Sequence, residues 1–213
     1  NPFKNFNLIV SGISYVKYST GYVLFLNLLV EKKIKKLLLT SFITIFGWLF
    51  YSYYTNSPLI LNLFEPLIMN FQGNYTRTGD LYSIMNIYFL KENNVTNKIL
   101  QLGIVLLGNI YFLYQIKDIN NKLAKLSVIC FLPLIFMPHS NYDYVLMLPL
   151  LIYTIKNYKS DISKYGLYLT IYYFYFHRII RHWIDNDMLY QSGMFLIFTI
   201  FIIFFVKHIK KIV

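Results

Sequence analysis

The 213 residues are 57% hydrophobic and 14% charged, where a water-soluble domain carries about 25% charged residues, and the 21 Tyr and 19 Phe suit a lipid-facing or interfacial surface better than a compact soluble one. The formal net charge of +11 would fit nucleic acid, but the basic residues stand in short clusters between apolar runs and not along one polar face, which excludes a nucleic-acid binder. The single cysteine, Cys130, excludes an internal disulfide framework and a cysteine zinc site; inside an apolar run it reads as a small buried hydrophobe.

The chain opens on Asn1 without a positively charged n-region and cleavage site. It is therefore expected to be an internal or C-terminal piece of a longer protein, one membrane domain over 1–213 that is incomplete at its N-terminus. Seven apolar runs follow, at roughly 8–30, 37–54, 99–116, 124–137, 144–155, 165–177 and 189–206. A full crossing needs about 20 helical residues, and the runs at 124–137, 144–155 and 165–177 are shorter. The runs lack the period-two alternation of barrel strands. The expected fold is all-α: a polytopic transmembrane bundle of about seven spans, with short interfacial helices in an outer loop over 55–98.

In the first run, Lys17 lies near the middle, where a cation costs at least about 2.5 kcal/mol. Ser14, Lys17, Tyr18 and Gly21 share one helix face. That face reads as the lining of a polar cavity with a fixed positive charge for an anionic ligand; the structural alternative is a helix that starts late, with Lys17 snorkelling to the surface. Between runs two and three, Pro58–Met69 and Leu81–Leu90 are apolar but broken by Asn62, Glu65, Ser83 and Asn86, as in short helices at the interface. The turn Asn70–Asp80 between them carries many hydrogen-bonding groups. Asn74 there suits sugar hydroxyls, and the planar fork of Arg77 suits two phosphate oxygens or, alternatively, Asp80 or a lipid headgroup.

Between runs four and five comes Pro138-His139-Ser140-Asn141-Tyr142-Asp143-Tyr144. Its short neighbours predict that it dips below the membrane surface, where irregular backbone is tolerated only against protein or a water-filled cavity; His139, Tyr142, Asp143 and Tyr144 then form a substrate-facing rim. An ordinary polar hairpin is the plainer account. Run six ends in His177-Arg178-Ile179-Ile180-Arg181-His182-Trp183. Arg178 and Arg181, three apart on one helix face, suit a phosphate or anchor at headgroups beside Trp183. No metal-ligand spacing, Gly-rich phosphate loop or nucleophile elbow is visible, and no cofactor is evident.

Charge sets an expected orientation. Thirteen of the 20 Lys and Arg fall on one side if the runs alternate: at 32–36, 117–125, 156–164 and 207–211. The positive-inside rule puts these lysine-rich loops in the cytoplasm of a multi-pass protein of a bacterial inner or plasma membrane. All three arginines, three of the four histidines and six of the nine carboxylates then face outward.

Taken in order, Lys17 with the basic loop Glu31–Lys36, the turn Gly73-Asn74-Tyr75-Thr76-Arg77 and the segment Pro138–Tyr144 resemble the C-terminal two-thirds of a GT-C-fold glycosyltransferase. The likeness is nearest to the polyprenyl-phosphate-mannose-dependent family 87, also known as DUF2029, and covers most of residues 8–155. The resemblance implies a polyprenyl-phosphate sugar as donor, a glycan or glycolipid acceptor on the outer face and an inverting displacement. It implies Lys17 and Arg77 at the phosphate, His139 and Asp143 near the reacting sugar or acceptor hydroxyl, and Tyr142 and Tyr144 on a sugar face. The catalytic base of this fold is typically an Asp in the first outer loop, which is expected upstream of Asn1; His139 and Asp143 are weak substitutes, and the fragment alone is expected to be inactive. Two alternatives are an O-antigen or capsular-polysaccharide polymerase and a lipid or sugar transporter without chemistry. Matching hydropathy in two halves, the mark of a transporter's inverted repeats, is not visible.

Overall fold

A computed structural model describes residues 18–58, 79–88, 95–137, 141–184 and 186–211. The described residues are helical, with no strand among them. The chain divides into two compact units, Asn1–Tyr75 and Thr76–Val213.

The first unit holds α1 (Tyr18–Val30) and α2 (Ile34–Thr55). They pack on each other through a tight turn, closed by the Lys33 N–H on the Leu28 carbonyl at 2.9 Å. Lys32 takes the left-handed conformation (φ 54°) that the turn requires, and the Lys33 ammonium pairs with Glu31. Left-handed Asn56 (φ 55°) caps α2. Its 22 residues extend about 33 Å, enough to cross about 30 Å of hydrocarbon. Phe42, Phe46 and Phe50 are exposed along it, as a lipid-facing helix requires.

The second unit comprises α3 (Leu81–Tyr88), α4 (Val95–Ile116), α5 (Lys122–Phe136), a 3-10 helix (Asn141–Met147), α6 (Leu148–Lys156), α7 (Asp161–Ile171), a π turn (Tyr172–Phe176), α8 (His177–Trp183) and α9 (Asp187–Lys211). Its centre is α5. Val128, Ile129, Phe131, Leu132 and Leu134 expose no surface, and α3, α4, α6, α9 and the 3-10 helix surround them. The 15 residues of α5 reach about 22 Å, short of the hydrocarbon thickness, but a helix enclosed by protein need not meet lipid along its length. Cys130 is buried there as expected. Phe131 meets Phe198 edge-on at 4.8 Å, and Tyr153 meets Phe205 at 5.2 Å, so α9 supplies an aromatic wall to the core. The helix expected at 165–177 runs further, from Asp161 to Trp183. It starts where the Ser160 side chain accepts from the Ser163 amide, with Asp161 in the first turn pairing Lys164 at 2.9 Å.

Among the described residues, three helical segments are long and apolar enough to cross a membrane, Ile34–Thr55, Ile99–Ile116 and Met188–Lys211. The chain is thus helical with the means to cross a bilayer. Within the second unit the lysine-rich turns gather at one end. The Lys210 ammonium donates to the Gln115 side chain, Ser160 Oγ lies 3.1 Å from His208 Nε2, and Lys125 donates to the Lys117 carbonyl at 3.1 Å.

The opposite end is fastened by the start of α3. Gly79 has φ +70°, and a Cβ there would lie 2.8 Å from Met194 Cβ and 3.0 Å from the Gln191 carbonyl oxygen, so only glycine allows this approach to α9. Asp80 is fully buried; its carboxylate accepts from the Ser83 amide at 2.8 Å and the Ser83 hydroxyl at 2.7 Å, capping α3. The helix expected at 81–90 as an interfacial element is present, but Tyr82, Ile84 and Met85 are buried, and α3 packs on α4, α5 and α9. Pro58–Met69, the other expected interfacial helix, lies outside the described residues apart from Pro58. Asp80→Ala is expected to destabilise the protein by about 1–2 kcal/mol through loss of this cap, whereas Asp80→Asn retains most of it; thermal unfolding of the two variants in detergent measures the difference.

Candidate functional site

Of the residues singled out from sequence, Lys17, Asn74, Arg77 and His139 lie outside the described residues. Tyr142 and Asp143 fall in the 3-10 helix and Arg178 in α8, described by backbone alone. Tyr144 and Arg181 are described in full. Tyr144 is buried rather than standing on an open rim, and Arg181 is half-buried.

Tyr144 brings two separate sequence segments together. Its ring lies 5.0 Å from the His177 imidazole and 4.6 Å from the Tyr173 ring, edge-on to both. The segment Pro138–Tyr144 thus meets the segment His177–Trp183 at a histidine. Tyr173 stacks on His177 at 5.9 Å with 14° between planes and on Phe198 at 4.4 Å, tying the cluster to the aromatic wall of α9. The Tyr190 hydroxyl donates to the His177 carbonyl at 3.4 Å, and Arg181 stands one turn further along α8.

The π turn explains how His177 is held. In an α-helix the His177 amide would bond to the Tyr173 carbonyl, four residues back. Here it bonds one residue further back, to the Tyr172 carbonyl. The Tyr173 carbonyl instead lies 2.6 Å from Nδ1 of the His177 ring. A carbonyl only accepts, so Nδ1 carries the proton, and in the neutral ring Nε2 is the acceptor nitrogen. The Tyr173 hydroxyl and, on α9, Gln191 Oε1 are buried and have no hydrogen-bond partner among the described residues. Buried polar groups nearly always have one, so each can still make a hydrogen bond. The set offers an oriented imidazole, aromatic faces, spare hydrogen-bonding atoms and a guanidinium.

His177, Tyr173 and Tyr190 were not among the sequence-derived site residues. The signal that was available is the aromatic run Tyr172–Phe176 directly before His177, with Tyr173 four residues ahead of the histidine. No group of three or more metal-ligating side chains occurs among the described residues. Comparison of the chain with protein-family models, with curated proteins and with solved structures gave no match.

Proposed function

We infer that the chain is part of a membrane glycosyltransferase. It would move a mannose-like monosaccharide from a polyprenyl-phosphate donor to a glycan or glycolipid acceptor on the extracytoplasmic face, in a GT-C-like arrangement of about seven crossings with the lysine-rich ends in the cytoplasm. The observation that carries this reading is the meeting of Tyr144 with Tyr173 and His177, at the end of the second unit away from the lysine clusters. Sugar rings stack on aromatic faces, for which Tyr144, edge-on to its two neighbours, is the candidate, and sugar hydroxyls match the spare capacity of the Tyr173 hydroxyl and Gln191. In the displacement, a base takes the proton of the acceptor hydroxyl, whose oxygen bonds to the anomeric carbon while the bond to the phosphate oxygen breaks. The lipid phosphate leaves with the electron pair, and a nearby cation stabilises the charge that develops on it. Arg181, with Arg178 three residues before it in the sequence, fits that role; His177 Nε2, His139 and Asp143 are the candidate proton acceptors.

The test uses the complete protein in proteoliposomes with radiolabelled polyprenyl-phosphate mannose and a glycolipid acceptor. Label transferred to the acceptor is the expected result. Label that crosses the bilayer still attached to its lipid identifies a transporter, and transfer only of oligosaccharide units from a pyrophosphate carrier identifies a polymerase; either overturns the reading.

A further inference from the structure

A second feature lies on another face of the same unit. Along α9, Met194, Ile197, Phe201, Phe204, His208 and Lys211 recur at alternating spacings of three and four, which aligns them in one stripe. Tyr165 and Leu169 of α7 and Tyr172 of the π turn face that stripe, and these two elements with α9 enclose a groove of about 1050 Å³. At one end the Tyr172 hydroxyl reaches Met194 Sδ at 3.6 Å. At the other, Lys207, His208, Lys210 and Lys211 stand together, and no carboxylate is among the described residues that line the groove.

Two of these cations are held in position. Lys210 donates to Gln115, and the Lys207 ammonium sits 5.9 Å from the centre of the Phe204 ring, within cation–π range. From Met194 to Lys207 the helix advances about 20 Å, more than half of the roughly 30 Å of hydrocarbon. Tyr168, Ile200 and Phe204 are exposed at its edges, so the groove opens sideways. A long apolar trough with a cationic end complements an amphiphile with an anionic head. A free anion would leave the trough unused, and a neutral apolar molecule would leave the cations unmatched.

We propose that the α7–α9 groove binds an anionic phospholipid of the leaflet at the lysine-rich end, with an acyl chain along Leu169 and Phe201 and the headgroup phosphate at Lys207 and Lys211. Its headgroup end lies at the other end of α7 and α9 from His177, and the proposal does not rest on the transferase reading.

Native mass spectrometry of the complete protein, with dioleoylphosphatidylglycerol or dioleoylphosphatidylcholine added to the detergent, tests this. Wild type is expected to retain the anionic lipid in preference. The exposed-side-chain double variant Lys207→Gln/Lys211→Gln is expected to lower that preference on the order of tenfold or more, with an unchanged unfolding temperature. A control variant, Lys32→Gln/Lys35→Gln, is expected to keep it. Ile197→Trp, which fills the trough, is expected to reduce retention of the anionic lipid while the lysines remain. Equal retention of both lipids by wild type, or persistence of the preference in the Lys207/Lys211 variant, overturns the proposal. So does equal loss in the Lys32/Lys35 variant, which marks general attraction to a basic surface, or complete displacement of the lipid by inorganic phosphate, which marks a free-anion site.

Discussion

His177→Asn and His177→Gln are both expected to lower the proposed sugar transfer by the complete protein by about a hundredfold or more, the usual span for a lost proton-transfer group. The pair is informative because the two amides occupy different parts of the imidazole. Asn places its amide near Nδ1 and can still donate to the Tyr173 carbonyl, 2.6 Å from that nitrogen in the wild type. Gln extends toward the Nε2 position and keeps an acceptor there, but no amide takes up a proton at neutral pH. If the ring serves only to hold α8 in place, the Asn variant retains activity and the thermal midpoint alone moves. If Nε2 handles a proton, both variants lose transfer, and the Asn variant unfolds near the wild-type temperature. Initial rates measured beside unfolding midpoints separate the two cases, and near-normal rates in both variants would remove His177 from the site.

Gly166→Leu is expected to destabilise the second unit by about 3 kcal/mol or more. Gly166 sits where α7 passes closest to its neighbours. A Cβ at this position would lie 2.7 Å from Thr154 Cγ2 on α6 and 3.1 Å from Phe201 Cζ on α9. Thr154 is fully buried and its hydroxyl is held by the Leu151 carbonyl at 2.9 Å, so it cannot turn aside freely. Overpacking of this kind costs about 1–3 kcal/mol for added methylenes, and a leucine adds more. Gly166→Ala is the subtler variant, because alanine recovers about 1 kcal/mol of helix propensity. Its net effect depends on Thr154, and Thr154→Ser removes the offending methyl while keeping the hydroxyl. The double variant Gly166→Ala/Thr154→Ser is therefore expected to unfold above Gly166→Ala alone, a positive coupling between residues in contact. Unfolding midpoints in detergent for the four proteins of this cycle measure it; strict additivity would mean that the two sites do not press on each other.

The helices were legible because apolar runs of this length have few other fates, and the basic clusters mark which ends belong together. Their boundaries were less so. The run at 144–155 is two elements: Pro149 sits in the first turn of α6 and has no amide to bond back to Val145, so the α-helix begins at Leu148 and the chain before it winds as a 3-10 helix. The run at 165–177 was cut at its first charged residues, yet the helix continues through Arg178 and Arg181 to Trp183, because polar side chains do not end a helix that lacks a breaker. Of the candidate site, Tyr144 and Arg181 could be named from the sequence, since polar and cationic groups interrupting apolar runs are conspicuous. His177 passed as one of several outward histidines. Its standing depends on a ring 33 positions earlier and on a backbone turn of unusual pitch, and neither leaves a local signature.

That turn has a consequence for descent as well as for chemistry. A π turn holds one residue more than the α turn it replaces. Deleting one residue from Tyr172–Phe176 would let the segment rewind as plain α-helix and leave α8 nearly in place, but the carbonyl that now faces Nδ1 would return to a backbone amide and His177 would lose its orienting partner. Side chains that merely anchor in headgroups would be indifferent to that loss. A histidine that must present Nε2 would not. Among descendants of a common ancestor, the extra residue would then persist where the oriented ring is in use and drop out where it has fallen idle, making the length of this one segment a record of whether the work is still being done.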